Sequence, residues 1–106
     1  MDDTSTDPIW LVLSVAGADR DLSIAMREQP WWNEHAAFIN ALVDEGNVLL
    51  GGPLPDEGGA LLVMRAPDAQ TIRDRLAGDP WYVNKILRLV DVKRWEILID
   101  EWAGAR

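Results

Sequence analysis

The only histidine of the chain, His35, is the side chain best suited to proton transfer, because an unperturbed imidazole titrates near neutral pH. It falls within a predicted helix that runs from Pro30 to a glycine stop at Gly46. Apolar residues recur there at steps of three and four, so one helix face carries Trp31, His35, Phe38, Ile39, Leu42 and Val43. A histidine on such a face is either a satisfied core residue or a proton-transfer group, and both interpretations stay open.

The second candidate is Asp79, which stands between Gly78 and Pro80 at a predicted bend after the second helix. A carboxylate in front of a proline is typical of a helix cap, where it accepts free backbone N–H groups. A carboxylate can also hold one nitrogen of an imidazole, which fixes the tautomer and favours the imidazolium formed after proton abstraction. Asp79 is therefore a candidate cap and a candidate partner of His35.

The remaining candidates are backbone and aromatic positions that could line a pocket. Gly51, Gly52 and Pro53 follow a short strand and let the backbone come close to a ligand or a partner strand. No helix and no lysine follow them in the pattern of a phosphate-binding loop. The chain has six tryptophans, which suit a core, a subunit interface or an aromatic wall around a flat organic ligand. The candidate pocket wall consists of Trp31, Trp32 and Trp81.

Composition restricts the classes of partner and cofactor. With one histidine and no cysteine, we expect no metal site and no cofactor, although a single histidine can still hold haem. The net charge of −8 repels the phosphate backbone that supplies most non-specific nucleic-acid affinity. We therefore expect a small-molecule ligand and no binding to DNA or RNA.

The length of 106 residues predicts one domain, over residues 9–99. Residues 1–8 are expected to form a disordered tail and residues 100–106 a second tail. The acidic start does not resemble a signal peptide, and no apolar run approaches the roughly 20 residues needed to span a bilayer. We expect a cytoplasmic protein without membrane contact.

The order of predicted elements is strand, helix, strand, strand, helix, strand, with the last strand running from residue 87 to residue 99. The first and third strands, Ile9–Ala16 and Ala60–Met64, are almost wholly apolar and so belong at the centre of a sheet. This predicts an α+β fold of ferredoxin-like βαββαβ topology with a four-stranded antiparallel sheet. Two helices can cover only one sheet face, so we expect a homodimer joined through the other faces.

On these elements the sequence resembles the YciI-like (YCII-related) family of the dimeric α+β barrel superfamily, over about residues 9–99. The shared marks are the helix histidine, the glycine that ends that helix, a Gly-Pro on the next strand and an Asp-Pro followed by an aromatic residue. The resemblance implies an active-site pair of His35 and Asp79 and a face-to-face dimer. It departs at Trp31 and Trp32, which stand where the family often has a basic residue, with Arg27 further back.

Cofactor-independent proton transfer, isomerisation and elimination on small ring compounds are the activities that this resemblance implies. The leading hypothesis is therefore a lyase or isomerase that acts on a small cyclic substrate, with His35 as general base or acid and Asp79 as its orienting partner. The alternative is a non-catalytic domain for small-molecule binding or protein interaction, in which His35 is only a polar anchor.

Overall fold

The structure is a computed structural model, and it describes residues 6–101. Four strands and three helices follow the predicted order of the elements. They are β1 (Ile9–Ala16), α1 (Trp32–Asp44), β2 (Val48–Leu54), β3 (Gly59–Arg65), α2 (Ala69–Leu76), α3 (Pro80–Val83) and β4 (Leu87–Trp95), with a 3-10 turn at Met26–Glu28 before α1.

The four strands form one antiparallel sheet in the order β2-β3-β1-β4. The two apolar strands, β1 and β3, lie at the centre, as their composition predicts. The strand that contains Pro53 lies at an edge, where its missing N–H breaks no ladder. The predicted ferredoxin-like α+β fold is confirmed.

All three helices pack on one face of this sheet. Val12 of β1 and Met64 of β3 point to that face and meet Leu42 of α1 and Ile72 of α2 in one buried cluster. Residues alternate between faces along a strand, so Leu11 and Leu13 point to the opposite face, where both are partly exposed. We call that second surface the open face.

The start of α1 differs from the prediction. Trp31 does not continue the helix but precedes it, with a left-handed φ of 68° and 47% of its surface exposed. It therefore does not share the core-facing stripe of His35, because it lacks the helical backbone on which that periodicity depends. The helix ends as predicted, with Gly46 at a φ of 83°.

The last strand is shorter than predicted, ending at Trp95 rather than at residue 99. β4 pairs only with β1, and Trp95 lies opposite Ile9, the first residue of β1. The residue before Ile9 is Pro8, which has no N–H to donate to a further pair of the ladder. Leu98 and Ile99 accordingly lie outside the sheet, with 86% and 82% of their surfaces exposed.

The predicted tails fall partly outside the described residues, since these exclude 1–5 and 102–106. Within the described part, the Pro8 carbonyl accepts a hydrogen bond from the amide of Ala66, at 3.2 Å. Across residues 6–101, no helix has the length and apolar character that crossing a membrane requires.

Candidate active site

His35 and Asp79 are in direct contact, although 44 residues separate them along the chain. Nδ1 of His35 lies 2.8 Å from Oδ2 of Asp79 and 3.0 Å from Oδ1. The Asp79 side chain is completely buried, and 14% of the His35 side-chain surface is exposed. An ionised carboxylate can only accept, so its contact with Nδ1 favours the tautomer in which Nδ1 carries the hydrogen and donates it.

Asp79 is also the N-cap of α3. Its Oδ1 accepts the backbone N–H of Trp81 at 3.0 Å, and Pro80 occupies the first turn, where no N–H is needed. The two interpretations of this residue are therefore compatible. The same carboxylate caps a short helix and holds an imidazole, and the cap fixes the position from which it does so.

Trp81 fixes the plane of the imidazole. Its ring stacks on His35 with the centroids 3.9 Å apart and the planes 7° from parallel. The indole Nε1 donates to the Pro30 carbonyl at 2.8 Å, which ties α3 to the segment before α1. A buried ring held at its polar end in this way restricts the rotation of the histidine beside it.

The second nitrogen of His35 is left available. Nε2 has no hydrogen-bond partner within residues 6–101. It is nevertheless accessible, because the only buried side-chain nitrogen or oxygen without a partner in those residues is Nε of Arg20. His35 lines a cavity of about 470 Å³, large enough for a small ring compound. With the hydrogen on Nδ1, the lone pair is on Nε2, the nitrogen that a ligand can reach.

Part of the cavity wall comes from β2, where Gly51, Gly52 and Pro53 all line the space. A Cβ atom at Gly51 would meet the end of the Leu62 side chain, which would have to move to make room for it. These three residues therefore form part of the cavity wall, which is the position that close approach of the backbone to a ligand requires.

Of the three candidate tryptophans, two line the cavity and one does not. Trp32 and Trp81 are in the wall, with centroids 5.6 Å apart and planes tilted by 50°. Trp31 does not line this cavity, contrary to its prediction as part of the pocket wall, because its left-handed backbone places it before the helix.

The wall also contains three polar residues that were not among the predicted site residues, Arg27, Asn40 and Tyr82. Arg27, on the 3-10 turn, places its guanidinium carbon 5.7 Å from the ring centroid of Trp32. Tyr82 lies three residues after Asp79, and its hydroxyl is 2.5 Å from the Ser14 hydroxyl. Burial, with a smaller contribution from the Asp79 charge, raises the pKa of Tyr82 to about 12. The sequence feature that could have identified Tyr82 as a site residue is its position three residues after Asp79, in the short helix that Asp79 caps.

A second cavity, of about 530 Å³, shares Tyr82 and Leu87 with the first. Arg73, Lys85 and Arg88 contribute to its wall, but neither His35 nor Asp79 does. Of the two proton-transfer candidates, His35 therefore lines the smaller cavity, and the buried Asp79 contacts it from outside the wall. Among residues 6–101, no three or more histidine and acidic side chains group together as a metal site requires.

Comparison with known proteins identifies the family. No curated protein matches the chain significantly. Among solved structures, a similar one is 5-chloro-2-hydroxyhydroquinone dehydrochlorinase from Burkholderia phenoliruptrix AC1100, in complex with 2,5-dihydroxybenzoquinone. Its TM-score to this protein is 0.62 and its sequence identity is 18%. The alignment covers 82% of this chain and 93% of that chain. At this identity the similarity shows a shared fold and nothing further. The family model for the YCII-related domain matches residues 11–96, and the chain therefore belongs to the YCII-related domain family.

Proposed function

We propose that this protein is a cofactor-independent lyase or isomerase that moves a proton on a small cyclic organic compound. The observation that supports this most is the 2.8 Å contact between His35 Nδ1 and the fully buried Asp79 carboxylate, on a histidine that lines a cavity. A base that is oriented on one nitrogen and open on the other is the arrangement that general acid–base catalysis requires.

In the proposed reaction, Nε2 of His35 takes a proton from a ring carbon of the substrate. The imidazolium that forms is stabilised by Asp79, which accepts from its Nδ1–H. In an elimination, the C–H electron pair becomes part of a new C=C bond and the adjacent bond to the leaving group breaks, so that the group departs as an anion. In an isomerisation, the imidazolium returns the proton to another carbon of the same ring.

The proposal is tested with His35→Gln, which retains a polar side chain but cannot accept and return a proton. We expect turnover to fall by roughly 10²–10⁴-fold, the contribution of a general acid–base group. A suitable panel contains 5-chloro-2-hydroxyhydroquinone, on which the structural neighbour acts, with chloride release as the readout, and other ring compounds with acidic C–H bonds. Asp68→Asn, at the exposed cap of α2, is the matched control and should turn over normally.

The same assay separates an enzyme from the alternative, a non-catalytic binding domain. A binding domain would hold ligands such as 2,5-dihydroxybenzoquinone but convert none of the panel, and His35→Gln would change affinity alone. Equal turnover by folded wild-type and His35→Gln protein would contradict the assignment of His35.

We also propose that two copies pack through their open faces. Support comes from Leu11 and Leu13 on β1 and Leu61 on β3, which point to that face and are only partly buried in one copy. Leu13→Lys should shift the protein from dimer to monomer in sedimentation. Leu22→Lys, in an exposed loop, is the control and should leave the dimer intact. A wild-type monomer at micromolar concentration would contradict this part of the proposal.

Two further expectations rest on composition alone. A cytoplasmic location fits the absence of cysteine, and the lack of nucleic-acid binding is expected from the net charge of −8. Both stay predictions, and salt-sensitive micromolar binding to single-stranded or duplex DNA would contradict the second.

A further inference from the structure

The wall of the His35 cavity has a charge opposite to that of the protein as a whole. The chain carries 18 acidic and 10 basic residues. Among residues 6–101, however, no aspartate or glutamate lines this cavity, whereas Arg27 and His35 do. Asp79 lies behind the imidazole, completely buried, and is not part of the wall. An anion inside this cavity thus meets one permanent cation and no carboxylate surface.

Arg27 is held by an aromatic face rather than by an acid. Its guanidinium carbon lies 5.7 Å from the ring centroid of Trp32, and none of the ion pairs found within residues 6–101 includes it. The neighbouring acid, Glu28, is engaged with the backbone N–H of Ala25 at 3.1 Å. A guanidinium can stack on a ring and still direct its N–H donors, in its own plane, at a carboxylate or a similar anion.

The rest of the wall suits a flat ring. Trp32 and Trp81 present aromatic surface, and Gly51 and Gly52 contribute backbone without side chains to the same wall. An aromatic wall that ends at one guanidinium recognises a planar body with a negatively charged oxygen at its edge.

We propose that the ligand of this cavity is a planar ring anion, with its charged oxygen bound by Arg27 and its ring against Trp32. This deepens the proposed function by naming the chemical class of its substrate. The charge is carried either by a carboxylate on the ring or by an ionised ring hydroxyl, because both present the oxygen that a guanidinium binds.

Calorimetric titration with simple probes tests the proposal without any turnover. Benzoate represents the ring carboxylate and dinitrophenolate the ring oxyanion, with benzamide as the uncharged match of benzoate. We expect at least one anion to bind the wild type more tightly than benzamide does. Arg27→Gln should weaken that binding by roughly 10- to 100-fold, as the loss of a charged hydrogen bond does, and leave benzamide unchanged. Arg27→Lys should restore part of the affinity, since it keeps the charge but not the planar fork.

Arg73→Gln is the matched control, because it makes the same change of charge in the wall of the other cavity. It should leave anion binding unchanged. The proposal is overturned if neither anion binds more tightly than benzamide, or if Arg27→Gln and Arg73→Gln have equal effects. A substrate that is converted with dependence on His35 but not on Arg27 would overturn this inference alone. Binding of an anion that depends on Arg27, with no conversion of any ring compound, would instead overturn the proposed catalysis.

Discussion

Two aspartates cap helices within residues 6–101, and only one of them contacts the histidine. Asp68 caps α2 by accepting from the amide and the hydroxyl of Thr71, both at 2.8 Å, in an exposed position. Asp79 caps α3 by accepting from Trp81, but it is completely buried and its two oxygens also lie within 3.0 Å of His35 Nδ1.

The difference shows what a cap alone explains. Helix capping accounts fully for Asp68, whose contacts are all within three residues. It does not account for the burial of Asp79, because removing a carboxylate from water is costly unless other groups compensate. The long-range contact with His35 supplies such a group. Burial plus a distant titratable partner distinguishes the candidate site residue from an ordinary cap.

The largest difference between the two caps is expected in turnover. In Asp79→Asn, the amide can still cap α3 through its oxygen, but its NH₂ group faces His35 Nδ1 and favours the tautomer with the hydrogen on Nε2. We expect turnover to fall by about tenfold or more, though less than in His35→Gln, because the base remains while its orientation is lost. Asp68→Asn retains an equally good cap and should match the wild type. Equal rates in the two aspartate variants would remove the distinction between the caps.

Alkaline stability is expected to report on the helix that Asp79 caps. Burial raises the pKa of Tyr82 to about 12, above the ordinary value of 10.0, so the folded state favours the neutral phenol. Its contribution to stability is complete below pH 10 and is lost as the pH rises towards 12, by roughly 2–3 kcal/mol. Denaturant unfolding at a series of pH values should show this loss in the wild type and a flatter profile in Tyr82→Phe. If the free energy of unfolding fell equally with pH in the wild type and in Tyr82→Phe, the raised pKa of Tyr82 would be contradicted.

A smaller effect links Asp79 to the same tyrosine. The Asp79 charge adds to the raised pKa of Tyr82, after the larger effect of burial. Since Tyr82 is the only tyrosine of the chain, tyrosinate absorbance follows it alone. Its titration midpoint should move down slightly in Asp79→Asn and stay in place in Asp68→Asn. A midpoint that is the same in all three proteins would indicate that Asp79 is not charged in the folded state.

The smallest effect is expected at the exposed cap. The backbone N–H of Thr71, and then its hydroxyl, hold the pKa of Asp68 below the ordinary value of 3.8. A lowered pKa stabilises the fold above that value, and the contribution is lost as the pH falls through the folded pKa. Asp68→Ala should therefore lower the unfolding midpoint a little at neutral pH and less at acid pH. A loss that grows on acidification would contradict this role.

The sequence allowed the fold to be predicted because local and global signals agree in it. Two nearly continuous apolar strands suit the centre of a sheet, and the strand with Pro53 had to be short or lie at an edge. The limits of the prediction came from partners that no local pattern contains. The β1–β4 ladder ends at the Ile9–Trp95 pair, next to Pro8, and Trp31 leaves the helical face through one left-handed backbone angle.

The candidate site was predictable to a similar degree. His35 and Asp79 were singled out by residue type and position and were paired by the family resemblance, whereas the approach of Arg27 to the cavity was not predicted. That approach depends on the folding of the loop before α1, where the buried Gln29 amide holds both backbone groups of Asp21, at 3.0 and 2.7 Å. Such contacts across eight residues leave no periodic signal in the sequence.

The most direct test of the His35–Asp79 assignment is nitrogen NMR of the imidazole, which is unambiguous because the chain has one histidine. The measurement is made at a pH where the ring is neutral, on the wild type and on Asp79→Asn. The contact with the Asp79 carboxylate predicts a hydrogen on Nδ1 and a free lone pair on Nε2 in the wild type, with a shift towards the opposite tautomer in Asp79→Asn. A wild-type ring that carries its hydrogen on Nε2, or a tautomer that is the same in both proteins, would contradict the role of Asp79 and the proposed base.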